Sequence, residues 1–165
     1  VQTCALPICV RESVFNVLAN RGIFGSDILD IFSGTGAVAI EALSRGAAHA
    51  VAVDFKTGKL ILENAKHCRV DDRLEIIPRK LSQLKNYIVG RQFDYIFSDP
   101  PYENGFIQET IDMVVDCDLL KPEGVLLLEH HKDEAFTLPE SWKCIKEQKF
   151  GYTIVSYFVN TAERS

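Results

Sequence analysis

The stretch LDIFSGTGAVAIEALSRGA, Leu29–Ala47, decides how the rest of the chain is read. Asp27–Phe32 (DILDIF) is a short run rich in β-branched and aromatic residues, which predicts a strand. Ser33–Gly36 (SGTG) breaks it, and Ala37–Arg45 carries a helical pattern that Gly46 stops. A strand, a glycine loop and a helix in that order put the loop at the carboxyl end of a strand, where open α/β sheets bind ligands. Glycines there let the backbone come close to a ligand and open the helix. The dinucleotide fingerprint GxGxxG would need a third glycine, and position 39 is Ala39. An aspartate, Asp30, also lies within the strand. The loop therefore reads as a seat for a cofactor without a pyrophosphate; taken alone, a tight strand–helix turn stays open.

Outward from this unit the pattern repeats. Upstream, Val10, Val14, Val17 and Leu18 fall on one face of a predicted helix, with Gly22 after its end. Downstream, strands are predicted at Ala50–Phe55, Leu74–Ile77, Phe93–Ser98 and Gly124–Glu129. Helices are predicted between them at Thr57–His67, Leu81–Val89 and Phe106–Cys117. Alternating strands and helices imply a parallel sheet with helices on both faces. Two last strands, Trp142–Gln148 and Thr153–Asn160, are joined tightly at Phe150–Gly151–Tyr152, so an antiparallel hairpin should close a mostly parallel seven-stranded α/β sheet.

Two other strand ends carry chemistry. Asp54 ends the second strand, placed to accept hydrogen bonds from a ribose diol; in isolation it reads equally as a solvated carboxylate. The fourth strand ends in Asp99-Pro100-Pro101-Tyr102. The prolines have fixed φ and donate no N–H, so their carbonyls can be held rigidly outward. A carboxylate and a carbonyl can accept from one amino group while Tyr102 stacks on a planar ring. That set suits the exocyclic amine of a flipped-out base.

The bulk properties exclude several classes. The chain has 165 residues, 47% hydrophobic and 25% charged, ordinary for a globular domain. No apolar run approaches a membrane span, and no signal peptide is visible. The five cysteines (Cys4, Cys9, Cys68, Cys117 and Cys144) are scattered without a CxxC, which argues against a disulfide framework or zinc site and fits a reducing cytoplasm. His130 and His131 are adjacent and would point to opposite faces of a strand, so no metal site is expected. The net charge of −5 weighs mildly against nucleic acid, although a local basic face can coexist with an acidic whole. Residues 1–8, VQTCALPI, lack periodicity and resemble a translated sequencing-adapter oligonucleotide. They are expected to be an artefact replacing the natural N-terminus, with residues 9–165 forming one domain.

Together these motifs resemble the class I S-adenosylmethionine-dependent methyltransferases that modify amino nitrogens. More narrowly, VRESVFNVL, LDIFSGTGAVAIEALSRGA, DPPY and the late FGYT resemble the RsmD family, across roughly Val10–Asn160. EALSRGA, Glu41–Ala47, is the most family-specific part; DPPY is shared with DNA adenine and other amino methyltransferases. The resemblance implies a Rossmann-like methyltransferase fold. It implies methyl transfer from S-adenosylmethionine to the N2 amine of a guanine in 16S ribosomal RNA. The loop Asp30, Ser33, Gly34, Thr35 and Gly36 would surround the cofactor's methionine part, and Asp54 its ribose. Asp99, Pro100, Pro101 and Tyr102 would hold the target base. Asn64 is expected to be structural, as is a Glu41–Arg45 pair four residues apart on a helix. Arg11, Arg45 and Arg79 are the candidate RNA contacts. The expected partner is 16S ribosomal RNA or a small-subunit assembly intermediate, met by a cytoplasmic monomer. Relatives usually carry a basic segment before VRES, and weaker RNA affinity is expected where it is replaced. Pro78-Arg79-Lys80 stands where an acid would often meet the adenine amine, leaving adenine recognition unassigned. The rivals are methylation of DNA adenine or protein glutamine, and a non-catalytic cofactor- or RNA-binding module.

Overall fold

The structure is a computed structural model that describes residues 7–102 and 104–162; residues 1–6 of the adapter-like segment lie outside them. Among the described residues seven strands form one sheet: β1 (Asp27–Ile31), β2 (His49–Val53), β3 (Leu74–Ile77), β4 (Phe93–Ser98), β5 (Leu120–His131), β6 (Trp142–Phe150) and β7 (Thr153–Asn160). Their order across the sheet is β3-β2-β1-β4-β5-β7-β6. The first five run parallel, and β7 is antiparallel to both β5 and β6. The expected hairpin is therefore present, with its second strand inserted beside β5.

Among the described residues five α-helices cover the sheet: α1 (Ile8–Arg21), α2 (Ala37–Ser44), α3 (Gly58–His67), α4 (Leu81–Ile88) and α5 (Phe106–Asp116). Strand alternation sorts the core into two layers. On one face Ile28, Ala50, Ala52, Phe97 and Leu127 meet Val14 and Phe15 of α1, Leu43 of α2 and Ile61 of α3. On the other, Leu29, Val51, Ile96 and Leu126 meet Leu84 of α4 and Ile111 of α5. The small residues Ala39, Ala42, Ala47, Ala50 and Ala52 are all buried on the first face and let α2 lie close to β1 and β2.

Several elements differ from the sequence reading: α1 begins at Ile8, β2 spans His49–Val53 so that Asp54 and Phe55 follow it, and β6 runs on to Phe150. Helix α1 buries Phe15 with Val10, Val14 and Leu18, whereas Val17 is only partly covered. Strand β5 begins at Leu120, not Gly124, because Leu120 pairs with Phe93 before a register shift brings Val125 opposite Tyr95.

This topology positions the ligand site. The chain builds outward from β1 to β2 and β3, then returns to the opposite side of β1 with β4. The order reverses between β1 and β4, and a crevice opens at such a switch point. Ile31 pairs with Ser98, and Ser98 with Leu128. The glycine loop and Asp99 therefore leave β1 and β4 at the level of Glu129 within β5.

Candidate active site

The loop after β1 is organised from below. Gly36, the residue before α2, has no side chain to cap the helix and adopts φ +81°. Asp30 supplies the missing acceptor: its Oδ2 accepts from the Ala39 amide at 3.3 Å and from Ser33 Oγ at 2.6 Å. A negative group at a helix N-terminus is favourable for charge and hydrogen bonding alike. Asp30 is only 1% exposed. Burial pushes its carboxyl up to about 7; the Ser33 and Ala39 hydrogen bonds oppose the rise, and the Asp54 charge adds to it. Asp30 and Ser33 thus hold the loop's shape. Thr35 is fixed through its carbonyl, which accepts from Asn64 Nδ2 at 2.9 Å, and Gly34's carbonyl accepts from Thr57 Oγ1.

The two glycines differ. A Cβ on Gly36 would lie 2.9 Å from Ile61, so glycine there permits close helix packing. A Cβ on Gly34 would meet nothing within 4 Å, and Gly34 borders a cleft of about 350 Å³. That volume lies within the ordinary range for small-molecule sites.

Asp54 lines the same cleft and also ties its walls together. Its Oδ2 accepts from the Gly34 amide at 3.0 Å, and its Oδ1 from the amides of Lys56 at 2.9 Å and Thr57 at 3.2 Å. Beyond it, Phe55 is half exposed, and Leu81 and Arg79 also border the cleft. The Phe55 ring is flanked by Lys56 Nζ at 5.1 Å and Lys80 Nζ at 5.3 Å. Arg79 is held against Tyr87, donating from Nε to its hydroxyl at 2.8 Å.

At the far end stand Asp99 and Pro101, which line the cleft, and Pro100, which is buried behind them. Tyr102 lies outside the cleft; its ring packs on His131, with centroids 4.7 Å apart. Opposite Asp99, the β4–β5 register places Glu129. Glu129 is 9% exposed, and its Oε2 has no hydrogen-bond partner among the described residues. Burial, then the charges of Glu129 and Asp30, hold the Asp99 carboxyl far above the usual carboxylate range; burial raises Glu129 likewise.

The structure thus brings Gly34, Asp54, Asp99 and Pro101 to one cleft, with Asp30, Ser33, Thr35 and Gly36 behind it. The arginines are dispersed. Arg79 is at the cleft, and Arg11 lies partly exposed in the early turns of α1. Arg45 pairs with Glu41 at 3.0 Å and covers the Phe15 ring at 5.1 Å, fastening α2 to α1. The sequence reading missed Glu129 and Phe55. Signals existed: Glu129 ends an otherwise apolar run, GVLLLE, and Phe55 directly follows Asp54.

A reversal-point cleft, a glycine loop and acids ending β1, β2 and β4 on this strand order define a class I methyltransferase. The chain belongs to the family described as Conserved hypothetical protein 95, whose model matches residues 7–159; this is the RsmD family anticipated from its motifs. It is 32% identical to Ribosomal RNA small subunit methyltransferase D of Haemophilus influenzae, over 90% of this chain and 77% of that one. It is 29% identical to the protein of that name from Escherichia coli K12, over 93% and 78%. A solved Escherichia coli structure superposes with a TM-score of 0.85 at 27% identity, covering 99% of this chain and 92% of that one.

Proposed function

We propose that this protein transfers a methyl group from S-adenosylmethionine to the N2 amine of a guanine in 16S ribosomal RNA of the small subunit. The observation that carries this reading is that Asp99 and Pro101 line one cleft with Gly34 and Asp54, with the buried Glu129 beside Asp99 on β5. The relatives named for small-subunit ribosomal RNA methylation support the substrate class.

S-adenosylmethionine, when bound, supplies an electrophilic methyl group. The open Gly34 backbone would face its methionine part, Asp54 its ribose, and Phe55 with Leu81 the two sides of its adenine. The remaining chemistry belongs to the chain. Guanine N2 is a poor nucleophile because its lone pair is delocalised into the ring. Asp99 and the Pro100 carbonyl accept the amine's two hydrogens, turning the nitrogen toward the cofactor cleft. Asp99 then takes the proton that the methylated nitrogen must lose. Glu129 acts through Asp99: its negative charge and buried position raise the proton affinity of Asp99, making it a better base. Positioning and preorganised acceptors are the main tools for such a transfer.

Arg11 and Arg79 are the side chains placed to meet RNA phosphates, with Arg45 held in its structural pair. The protein is read as a monomer working where ribosomal subunits are assembled, in the cytoplasm. Among the described residues no helix is long and apolar enough to cross a membrane. The test is acceptance of labelled methyl groups by 16S ribosomal RNA, DNA and protein offered in parallel. Label in RNA, released on digestion as N2-methylguanosine, is the expected result; label in DNA adenine or protein glutamine overturns the reading.

A further inference from the structure

Three aromatic side chains from distant parts of the chain meet beside the Asp-Pro-Pro corner. Tyr102 follows β4, His131 ends β5, and Tyr152 sits in the β6–β7 turn. Tyr102 and His131 have centroids 4.7 Å apart at an interplanar angle of 45°. His131 and Tyr152 lie 5.8 Å apart and nearly parallel, at 18°. The rings form a continuous run from the catalytic corner to the rim of the sheet. Tyr152 is 67% exposed and Tyr102 46% exposed. A tight turn after Gly151, which adopts φ +64°, calls for small or polar residues; a large ring left in solvent there gains the fold almost nothing.

We propose that His131 and Tyr152, continuing outward from Tyr102 at the target-base corner, form a stacking track for the single-stranded nucleotide that flanks the target guanine. The proposal rests on the reading that RNA is the substrate. A base drawn out of its stack leaves its neighbour without a partner. RNA-binding proteins receive such splayed bases on tyrosine and histidine rings. The charges nearby say that the contact is made through base faces, not phosphates. Lys132 Nζ lies 5.0 Å from the Tyr152 ring centre, a flexible cation that can yield that ring to a base. Against it stand Asp133, 3.6 Å from His131 Nδ1, and Glu134, which accepts from the His131 amide. One cation among two carboxylates cannot track a phosphate backbone, whereas stacking is indifferent to them.

The test compares wild type with Tyr152→Ala, Tyr152→Phe and Tyr152→Trp on protein-free 16S ribosomal RNA and on small subunits from cells lacking this methyltransferase. Thermal midpoint and S-adenosylhomocysteine affinity are measured alongside and should not move, since Tyr152 packs in no core. Tyr152→Ala should weaken RNA binding and raise KM about five- to a hundredfold, the range for losing one base stack. The turnover number and the salt slope of RNA binding should stay at wild-type values, and Phe or Trp should restore affinity. Wild-type RNA affinity and KM in Tyr152→Ala, or no rescue by Phe and Trp, overturns the track and leaves the methyltransferase reading standing. A loss seen with assembled subunits and absent with bare RNA assigns the rings to a protein contact and also overturns it. Wild-type protein that methylates neither RNA overturns the reading beneath, and the track with it.

Discussion

Replacing Asp54 by alanine should injure the fold and the cofactor site together. Its carboxylate accepts from three amides, those of Gly34, Lys56 and Thr57. The Lys56 bond is exposed, so water replaces it at little cost. The other two are partly buried; the Gly34 bond joins the β1 loop to the β2 loop, and the Thr57 bond holds the β2 loop's own turn. Hydrogen bonds to a charged acceptor contribute about 1–1.5 kcal/mol each when discounted for partial exposure, so Asp54→Ala should lose about 2–3 kcal/mol. For a chain of this size that lowers the thermal midpoint by about 4–12 °C. The loop that carries Gly34 loses its tether at the same time, and the ribose acceptor is gone. S-adenosylhomocysteine affinity should fall at least about tenfold, a change of about 1.4 kcal/mol. Asp54→Asn keeps one acceptor oxygen and should fall between. Differential scanning fluorimetry with and without S-adenosylhomocysteine, followed by calorimetry, measures both effects. A variant that loses affinity at an unchanged midpoint would make Asp54 a ligand only. One that loses stability and keeps affinity would make it a strut only. Either result refutes the coupling of the two roles.

Asp99→Ala should abolish methyl transfer while S-adenosylhomocysteine affinity stays within about threefold, since Asp99 lies at the far end of the cleft from Asp54; calorimetry and a labelled-methyl assay separate the two. Activity should rise with pH through the neutral range as Asp99, raised by burial and by the charge of Glu129, gives up its proton, and Glu129→Gln, which removes that like charge, should move the rise to lower pH. An unmoved profile in Glu129→Gln would detach Glu129 from the chemistry. Stability should run the other way: these carboxyls titrate near pH 4 when unfolded and near 7 to 8 when folded, so the folded state binds the extra proton. Their contribution is full below about pH 4 and is lost as pH rises to about 8, and Glu129→Gln should flatten that decline in a urea-denaturation series. Gly34→Val, whose side chain would project into the cleft from a left-handed backbone, should block cofactor binding; undiminished S-adenosylhomocysteine affinity would remove Gly34 from the site.

The parts of this site that could be read from the sequence were those whose signal is local. Gly34 and Gly36 stand between a strand pattern and a helix pattern, and Asp54 and Asp99 each end an apolar run. The alternation of strands and helices was enough to set the parallel sheet and its ligand-bearing edge. What could not be read depends on neighbours far along the chain. Glu129 looks like any strand-end acid until the β5 register sets it beside Asp99. The insertion of β7 between β5 and β6 carries Tyr152 to His131, and no periodicity encodes that order. The Glu41–Arg45 pair was legible from its spacing of four, but the Phe15 ring beneath Arg45 is visible only once α1 is docked. Phe15 itself displaced Val17 from the core because the face α1 buries is chosen by what the sheet presents.

The most direct measurement is the mass of each methylated nucleotide in 16S ribosomal RNA from cells with the intact gene, without it, and complemented by Asp99→Ala. One guanosine should carry an N2-methyl group only in the first strain, and the Asp99→Ala strain should match the deletion. An unchanged set of modified guanosines on deletion, or full methylation in the presence of Asp99→Ala alone, would contradict the assignment of this cleft to guanine N2 methylation.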